Sequence, residues 1–307
     1  MNISTSPTLG VIGLGSMGMG AARSAVRQGI ATWGYDPRGE AVAEFVQVGG
    51  KGAASVAELA AHCDGVLVLV VNAAQTEAVL FGEGGLVEHL KTGSVVITSA
   101  TVDPALPPQW EARLAERGLW LIDGPVSGGA VRAAAGQMTV MASGKPEAFE
   151  AAGGLLQAFA GKVYRLGDRA GVGSTVKMVN QHLAGVHIAT ACEAMALGIK
   201  AGADPQQLYE VITNAAGNSW MFENRVPHIL AGDYTPLSSI NIFVKDLGIV
   251  LDAARSLKFP LPLAAAAHQL YLSAAAMGLG AEDDSAVVKF YAALAGLELP
   301  VAKETSA

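Results

Sequence analysis

Six residues, Gly13-Leu14-Gly15-Ser16-Met17-Gly18, constrain this chain more than any other stretch. They follow an apolar run at 9–12 and lead into a helix-compatible run through residue 28, which Gly29 ends. A second apolar run at 30–35 stops at Asp36. Strand, glycine turn, helix, strand and acid in that order make a βαβ unit with a dinucleotide fingerprint. Gly13 supplies the tight turn, Gly15 lets backbone approach a pyrophosphate, and Gly18 lets helix pack on strand. The phosphates then meet free N–H groups at a helix N-terminus. A carboxylate at Asp36 accepts hydrogen bonds from the adenosine ribose hydroxyls and repels a 2′-phosphate, so NAD is favoured over NADP. Arg38 pulls the other way, since an arginine there binds that phosphate. Pro37 also allows Asp36 simply to start a turn.

The alternation of strand and helix signals continues. A helix is predicted at 56–62, a strand at 65–71, a helical turn at 76–80, a strand at 95–98, a helix at 104–117 and a strand at 119–122. Two further strands are expected at 137–143 and 162–166, with a helix between them. Runs of Val, Ile and Leu without alternation indicate parallel strands covered on both faces. The fold class is therefore α/β, with a Rossmann-like N-terminal domain and a mainly parallel sheet. Ligands bind beyond the carboxyl ends of such strands. That rule points to Val71 and Asn72, to the segment around Thr101, and to the loop 123–130, which reads DGPVSGGA. Thr101 is either a hydroxyl for the nicotinamide end or a helix cap before Pro104. Ser127, Gly128 and Gly129 offer a hydroxyl and unencumbered N–H groups. They form either a nest for a carboxylate or a flexible loop.

Residues 172–201 read as one long apolar helix, opened by Gly171 and Gly173, capped by Ser174 or Thr175, and stopped by Gly202. Lys177, Asn180 and Gln181 lie on one face near its start. Lys177 is either a side chain reaching out to solvent or a positioned acid/base. After residue 202 the pattern is helical only, with helices expected at 205–215, 221–231, 241–256, 263–277 and 284–295. The expected domains are 1–167, binding the dinucleotide, and 168–307, all-helical and beginning with the interdomain helix. Lys245 and Asp246 stand in apolar company, either as a surface ion pair or as a functional pair.

Composition narrows the partners. With 51% hydrophobic and 15% charged residues the 307-residue chain is not disordered, and its net charge of −7 excludes a basic nucleic-acid surface. The apolar run at 66–71 is too short to cross a bilayer, and His182, His187, Glu193 and Lys200 interrupt the long helix. No secretory signal is expected, since the N-terminus lacks a basic region followed by an apolar run. Cys63 and Cys192 fit no metal or disulfide pattern, so a reducing cytoplasm is the default. The histidines are scattered, and no metal cluster is expected.

Four motifs occur in one order: VIGLGSMG at 11–18, DGPVSGGA at 123–130, GVGSTVKMVNQ at 171–181 and FVKD at 243–246. Together they resemble the β-hydroxyacid dehydrogenase family, the relatives of 3-hydroxyisobutyrate dehydrogenase. The resemblance implies a catalytic role for Lys177, with the substrate carboxylate at Ser127, Gly128 and Gly129. It puts Asn180 on the substrate, and Thr101 and Lys245 near the cofactor. Val71 and Asn72 fall where many members have a Leu-Pro pair lining the cofactor. Gln181 stands where many have a second asparagine contacting substrate. The stretch 219–225, SWMFENR, together with Asp36, resembles the subgroup that oxidises L-threonate. The implied reaction is oxidation of a small hydroxy acid with NAD, L-threonate to 2-oxo-tetronate foremost. Oxidation of 3-hydroxyisobutyrate and reduction of tartronate semialdehyde remain alternatives, as does an NAD-responsive binding protein without chemistry. A homodimer or homotetramer is expected, with neither nucleic acid nor membrane as a partner.

Overall fold

A computed structural model describes residues 7–301 of the chain. The outermost residues assigned to the two expected domains, 1–6 and 302–307, lie outside the described residues. The chain divides into two compact units, Met1–Met178 and Val179–Ala307.

The first unit begins β1 (Leu9–Ile12), α1 (Ser16–Arg27), β2 (Thr32–Tyr35), α2 (Gly39–Gln47), β3 (Lys51–Gly52) and α3 (Val56–His62). It continues β4 (Gly65–Val68), α4 (Ala73–Phe81), α5 (Leu86–His89), β5 (Val95–Thr98), α6 (Leu106–Ala115) and β6 (Trp120–Asp123). These strands form one six-stranded sheet in the order β3-β2-β1-β4-β5-β6. Every pairing is parallel, with Leu9 opposite both Thr32 and Gly65. That order is Rossmann-like, and its direction reverses between β1 and β4, where a crevice opens at the strand ends.

Side-chain alternation explains why both faces need cover. Leu9, Val11, Leu67, Val95, Ile97 and Ile122 enter one core with Ala21, Ala22 and Ala25 of α1. Ile12, Val66, Val68, Val96 and Leu121 enter the other with Leu59 of α3 and Trp110 of α6. On α2, Phe45 fills a slot made by two glycines. A Cβ at Gly50 would lie 2.1 Å from its ring, and one at Gly34 would lie 2.6 Å away. Gly34 lies two residues before Asp36, so this contact holds the end of β2.

Several expectations need correction. Residues 69–71 are not strand, because Leu69 leaves the ladder at the crevice, where its carbonyl meets the Gly13 turn. Residues 76–80 are part of a full helix, α4, because Asn72 caps it. The segment after β6 does not extend the main sheet. There β7 (Val126–Ser127), α7 (Gly129–Ala134), β8 (Met138–Ala142), α8 (Pro146–Ala152) and β9 (Ala160–Arg165) build a separate three-stranded sheet. Its β7 runs antiparallel to β8, so part of the expected loop 123–130 is strand and part is helix.

Helix α9 (Val172–Lys200) follows, and the boundary of the two units falls within it. It has the length and mean hydropathy, 1.3, of a membrane span, yet 44% of that window is buried in the protein. Ile188, Cys192 and Met195 from α9 fill the core of the second unit. Gly202 ends the helix at φ +86°, as its lack of a Cβ allows. The second unit continues with α10 (Pro205–Thr213), α11 (Trp220–Ala231), α12 (Ile240–Ser256), α13 (Pro262–Ala274) and α14 (Val288–Ala295). A π turn, Ala275–Leu279, and a 3-10 turn, Asp284–Val287, take the places where the sequence suggested continuous α-helix. Gly278 at φ +87° breaks the first, and Asp283 caps the second.

Truncating Phe45→Ala empties the slot between Gly34 and Gly50, and is expected to cost about 3–5 kcal/mol of unfolding free energy by urea denaturation.

Candidate active site

The glycine turn fits a dinucleotide by contact geometry. A Cβ at Gly13 would lie 2.5 Å from the Leu69 carbonyl oxygen, and one at Gly18 would lie 1.8 Å from that of Gly13. At Gly15 a Cβ would meet nothing within 4 Å. Two glycines are therefore demanded by packing, while the third leaves open space where a pyrophosphate approaches. Helix α1 opens there without a side-chain cap. Its first-turn N–H groups are suited to an anion. Leu14, Gly15 and Ser16 line a cleft of about 380 Å³, together with Met19, Gly20, Arg23 and Arg38. On the far side of the cleft are Ala130 and Ala134 of α7. A Cβ at Gly20 would lie 2.6 Å from the Ala133 backbone, which is how α1 and α7 approach so closely.

Asp36 is held from both sides. The Leu14 N–H donates to Oδ2 at 2.8 Å, and the Arg38 N–H donates to Oδ1 at 2.9 Å. The Arg38 guanidinium donates to Oδ1 at 2.9 Å and to Oδ2 at 3.2 Å. Burial pushes the Asp36 carboxyl up, but the Arg38 and Leu14 donors outweigh it and hold it below the usual carboxylate range. Four donors use the four or so lone-pair sites of a carboxylate. The Arg38 side chain that supplies two of these donors is 55% exposed. Asp36 thus takes part in the turn at Pro37 and also receives the Leu14 N–H of the fingerprint.

At the ends of β4 and β5 the roles divide. Asn72 accepts the Gln75 N–H at 2.9 Å and caps α4, while the Val71 N–H donates to Gln75 Oε1 at 2.9 Å. Asn72 Oδ1 and the Val71 backbone N–H are thus engaged locally. Thr101 does not cap α6, which starts at Leu106. Asp103 receives the Ala105 N–H there instead.

Ser127 lies on β7, opposite Thr139. Gly128 and Gly129 follow at φ +133° and +68°, conformations that glycine takes without strain, and α7 begins at Gly129. The loop is anchored by backbone: the Gly124 N–H reaches Thr98 O at 2.9 Å, and the Met141 N–H reaches Pro125 O at 2.9 Å. The Ser99 hydroxyl donates to Gly124 O at 2.7 Å.

Lys177 is 8% exposed, one turn into α9. The first turn of that helix is not capped as its sequence suggests. Ser174 and Thr175 are already helical, and the carboxylate of Asp123 receives the Gly171 and Ser174 N–H groups at 2.9 and 2.8 Å. Burial pushes this carboxyl above its ordinary range, with the donors of Ser174, Gly171 and Ser143 pulling it back. Asp123 is the residue that sequence reasoning missed. Its only signal was an acid at a strand end beside a glycine-rich loop.

In the second unit, the Asn180 amide donates to Gln181 Oε1 at 2.9 Å. The Gln181 amide donates to Asp246 Oδ2, and Lys245 Nζ lies 2.7 Å from Asp246 Oδ1. Asn180, Gln181, Asp246 and Lys245 therefore form one polar chain, which decides against a surface ion pair at 245 and 246: Asp246 is 1% exposed. Arg225, from the SWMFENR stretch, donates through Nε to buried Asp284 at 2.6 Å, and Ser219 caps α11. Burial pushes the Asp284 carboxyl up to about 6, against the pull of Arg225. Cys63 and Cys192 are wholly buried, and burial pushes the Cys63 thiol up to about 12.

Comparison with known proteins decides the family. Residues 8–167 match the NAD-binding domain of 6-phosphogluconate dehydrogenase, and residues 171–291 match a domain described as the NAD-binding domain of NADP-dependent 3-hydroxyisobutyrate dehydrogenase. The chain belongs to the 3-hydroxyisobutyrate dehydrogenase-related β-hydroxyacid dehydrogenase family. It is an NAD-using dehydrogenase with a small-molecule substrate. An L-threonate dehydrogenase of Cupriavidus necator is 59% identical over 96% of this chain and 98% of its own length. One from Escherichia coli K12 is 54% identical over 96% and 97%. A crystal structure of a 3-hydroxyisobutyrate dehydrogenase from Salmonella typhimurium is 52% identical, with a TM-score of 0.88, covering 93% of this chain and 100% of that one.

The opposed pulls of Asp36 and Arg38 give a paired prediction for this family member. Asp36→Ala lowers the NAD-to-NADP ratio of kcat/KM and Arg38→Ala raises it, each by about tenfold, the worth of one charge-assisted hydrogen bond.

Proposed function

We propose that this chain oxidises L-threonate with NAD to 2-oxo-tetronate, using Lys177 as general acid/base. The observation that carries the substrate is that relatives bearing the name L-threonate dehydrogenase are more than half identical along nearly their whole lengths. The Salmonella protein, of similar identity and described as a 3-hydroxyisobutyrate dehydrogenase, favours a second reading in which 3-hydroxyisobutyrate is the substrate.

In this reading the fingerprint residues Gly13, Leu14, Gly15, Ser16, Met17 and Gly18 hold the pyrophosphate, and Asp36, Pro37 and Arg38 the adenosine end. Val71, Asn72, Thr101 and Lys245 line the remainder of the cofactor. Bound NAD supplies the hydride-accepting ring. Ser127 and the N–H groups of Gly128 and Gly129 hold the substrate carboxylate, which fixes the neighbouring carbinol carbon. Lys177 takes the hydroxyl proton as the carbonyl forms, and returns one in the reverse direction. Asn180 and Gln181 contact the substrate further along the helix, with Gln181 also orienting the Asn180 amide.

The same reading keeps residues 1–167 as the cofactor domain and 168–307 as the helical domain. It takes the chain as a homodimer or homotetramer, supported by exposed apolar side chains such as Leu197 and Leu263 on the second unit. It puts the reaction in the cytoplasm, where two unpaired thiols stay reduced. Light scattering of the eluting protein tests the assembly.

Two measurements test the chemistry. Lys177→Ala is expected to retain NAD binding and lose roughly 10²–10⁴-fold in turnover; near-normal turnover removes lysine from the mechanism. In a panel of C3–C6 hydroxy acids, followed by reduced-cofactor absorbance, L-threonate is expected to have the highest kcat/KM. A higher value for 3-hydroxyisobutyrate overturns the substrate assignment in favour of the second reading.

A further inference from the structure

Asp123 ends β6 and is 1% exposed. We infer that it is a positioning residue for Lys177: its carboxylate fixes where α9 begins, and so where the lysine stands. The inference rests on the assignment of Lys177 as acid/base. The first turn of a helix leaves its N–H groups without intrahelical partners. In α9 these donors converge on Asp123. The Gly171 and Ser174 N–H groups reach Oδ2, and the Ser174 hydroxyl reaches Oδ1 at 2.6 Å. The Gly173 N–H donates to Ser143 Oγ at 2.9 Å, and that hydroxyl donates to Asp123 Oδ2 at 3.3 Å. A negative charge here also has the right sign for the helix dipole.

Packing removes the alternatives. A Cβ at Gly173 would lie 2.2 Å from Met141 O and 2.7 Å from Asp123 O. Gly171, at φ +99°, would bring a Cβ to 2.9 Å from Pro104 O. The first turn is thus pressed onto backbone and registered by the carboxylate. A one-residue slip would rotate every later side chain by about 100° and shift it about 1.5 Å. Lys177 comes three residues after Ser174, within the same turn, so it inherits the register directly. The Ser127 loop does not depend on this carboxylate, because its anchors are the backbone bonds of Gly124 and Met141 and the Ser99 hydroxyl.

The test is a cycle of Asp123→Asn and Lys177→Ala in the full chain. Asp123→Asn keeps volume but places an amide N–H₂ where donors already converge. It is expected to lower kcat by roughly 100-fold, the cost of about 1 Å of misplacement. The KM for the hydroxy acid and the Kd for NAD are expected to stay within about threefold, since neither the loop nor the fingerprint is touched. In the Lys177→Ala background, Asp123→Asn is expected to change the residual rate less than about twofold, because its effect runs through the lysine. Near-normal turnover of Lys177→Ala would defeat the acid/base reading itself. An impaired Lys177→Ala whose residual rate falls again, by the full factor, overturns the role of Asp123 alone. So does a raised KM at unchanged kcat. Should Asp123→Asn not fold, Ser174→Ala enters the same cycle. It loses only the hydroxyl bond and is expected to lower kcat by about threefold to tenfold; an unchanged kcat overturns the inference.

Discussion

The buried carboxylate at the end of β6 is the interaction on which the rest of this site depends. Taking a charge out of water costs several kcal/mol unless donors replace the lost hydration. Here the donors come from α9 and from Ser143, just beyond β8, segments far apart in sequence. The arrangement solves two problems together. The charge finds partners, and a 29-residue helix finds a cap that its own sequence does not provide. A carboxylate with Ser174 as its sole partner would not repay its burial. A helix start without Asp123 would bury N–H groups with nothing to receive them. Each part is therefore stable only with the other, which makes the start of α9 a fixed point of the fold.

The cofactor side is built on a different principle. Its precision comes from missing atoms: Gly13 and Gly18 tolerate no Cβ, and Gly20 admits the backbone of α7. Close approach brings the start of α1 beside the helix that follows the Ser127 loop. Polar chemistry is added at Asp36, which joins the fingerprint to the end of β2 through the Leu14 N–H. The exposed Arg38 head and the Leu14 N–H together satisfy that carboxylate.

Much of this is legible in the sequence wherever a local pattern decides the structure. β1, α3 and β5 fall on the predicted residues, because unbroken apolar runs and a Ser55 cap leave few choices. The helical character of the second unit is legible for the same reason. Long-range pairing is not. The three-stranded sheet depends on Ser127 meeting Thr139, and the cap of α9 on Asp123 meeting Ser174 fifty-one residues away. Short elements such as β3 and α5 carry too few residues for any periodicity. Arg225 is opaque for a related reason. It finds Asp284 fifty-nine residues away, and no local pattern announces that pairing.

Gln181 shows how a departure from a family pattern becomes intelligible once partners are known. Its amide spans Asn180 on one side and Asp246 on the other, and Asp246 is itself held by Lys245. Asparagine is one methylene shorter, so from the same helical position it would stop short of Asp246 and leave a buried carboxylate oxygen with one donor fewer. The longer side chain thus donates to buried Asp246 beside the charge of Lys245, and its own Oε1 holds the Asn180 amide nitrogen. An amide held that way has its nitrogen engaged, while its carbonyl oxygen keeps its capacity to accept. Gln181 is thus the link that joins Asn180 to Asp246, and a shorter residue there would break the polar chain in its middle.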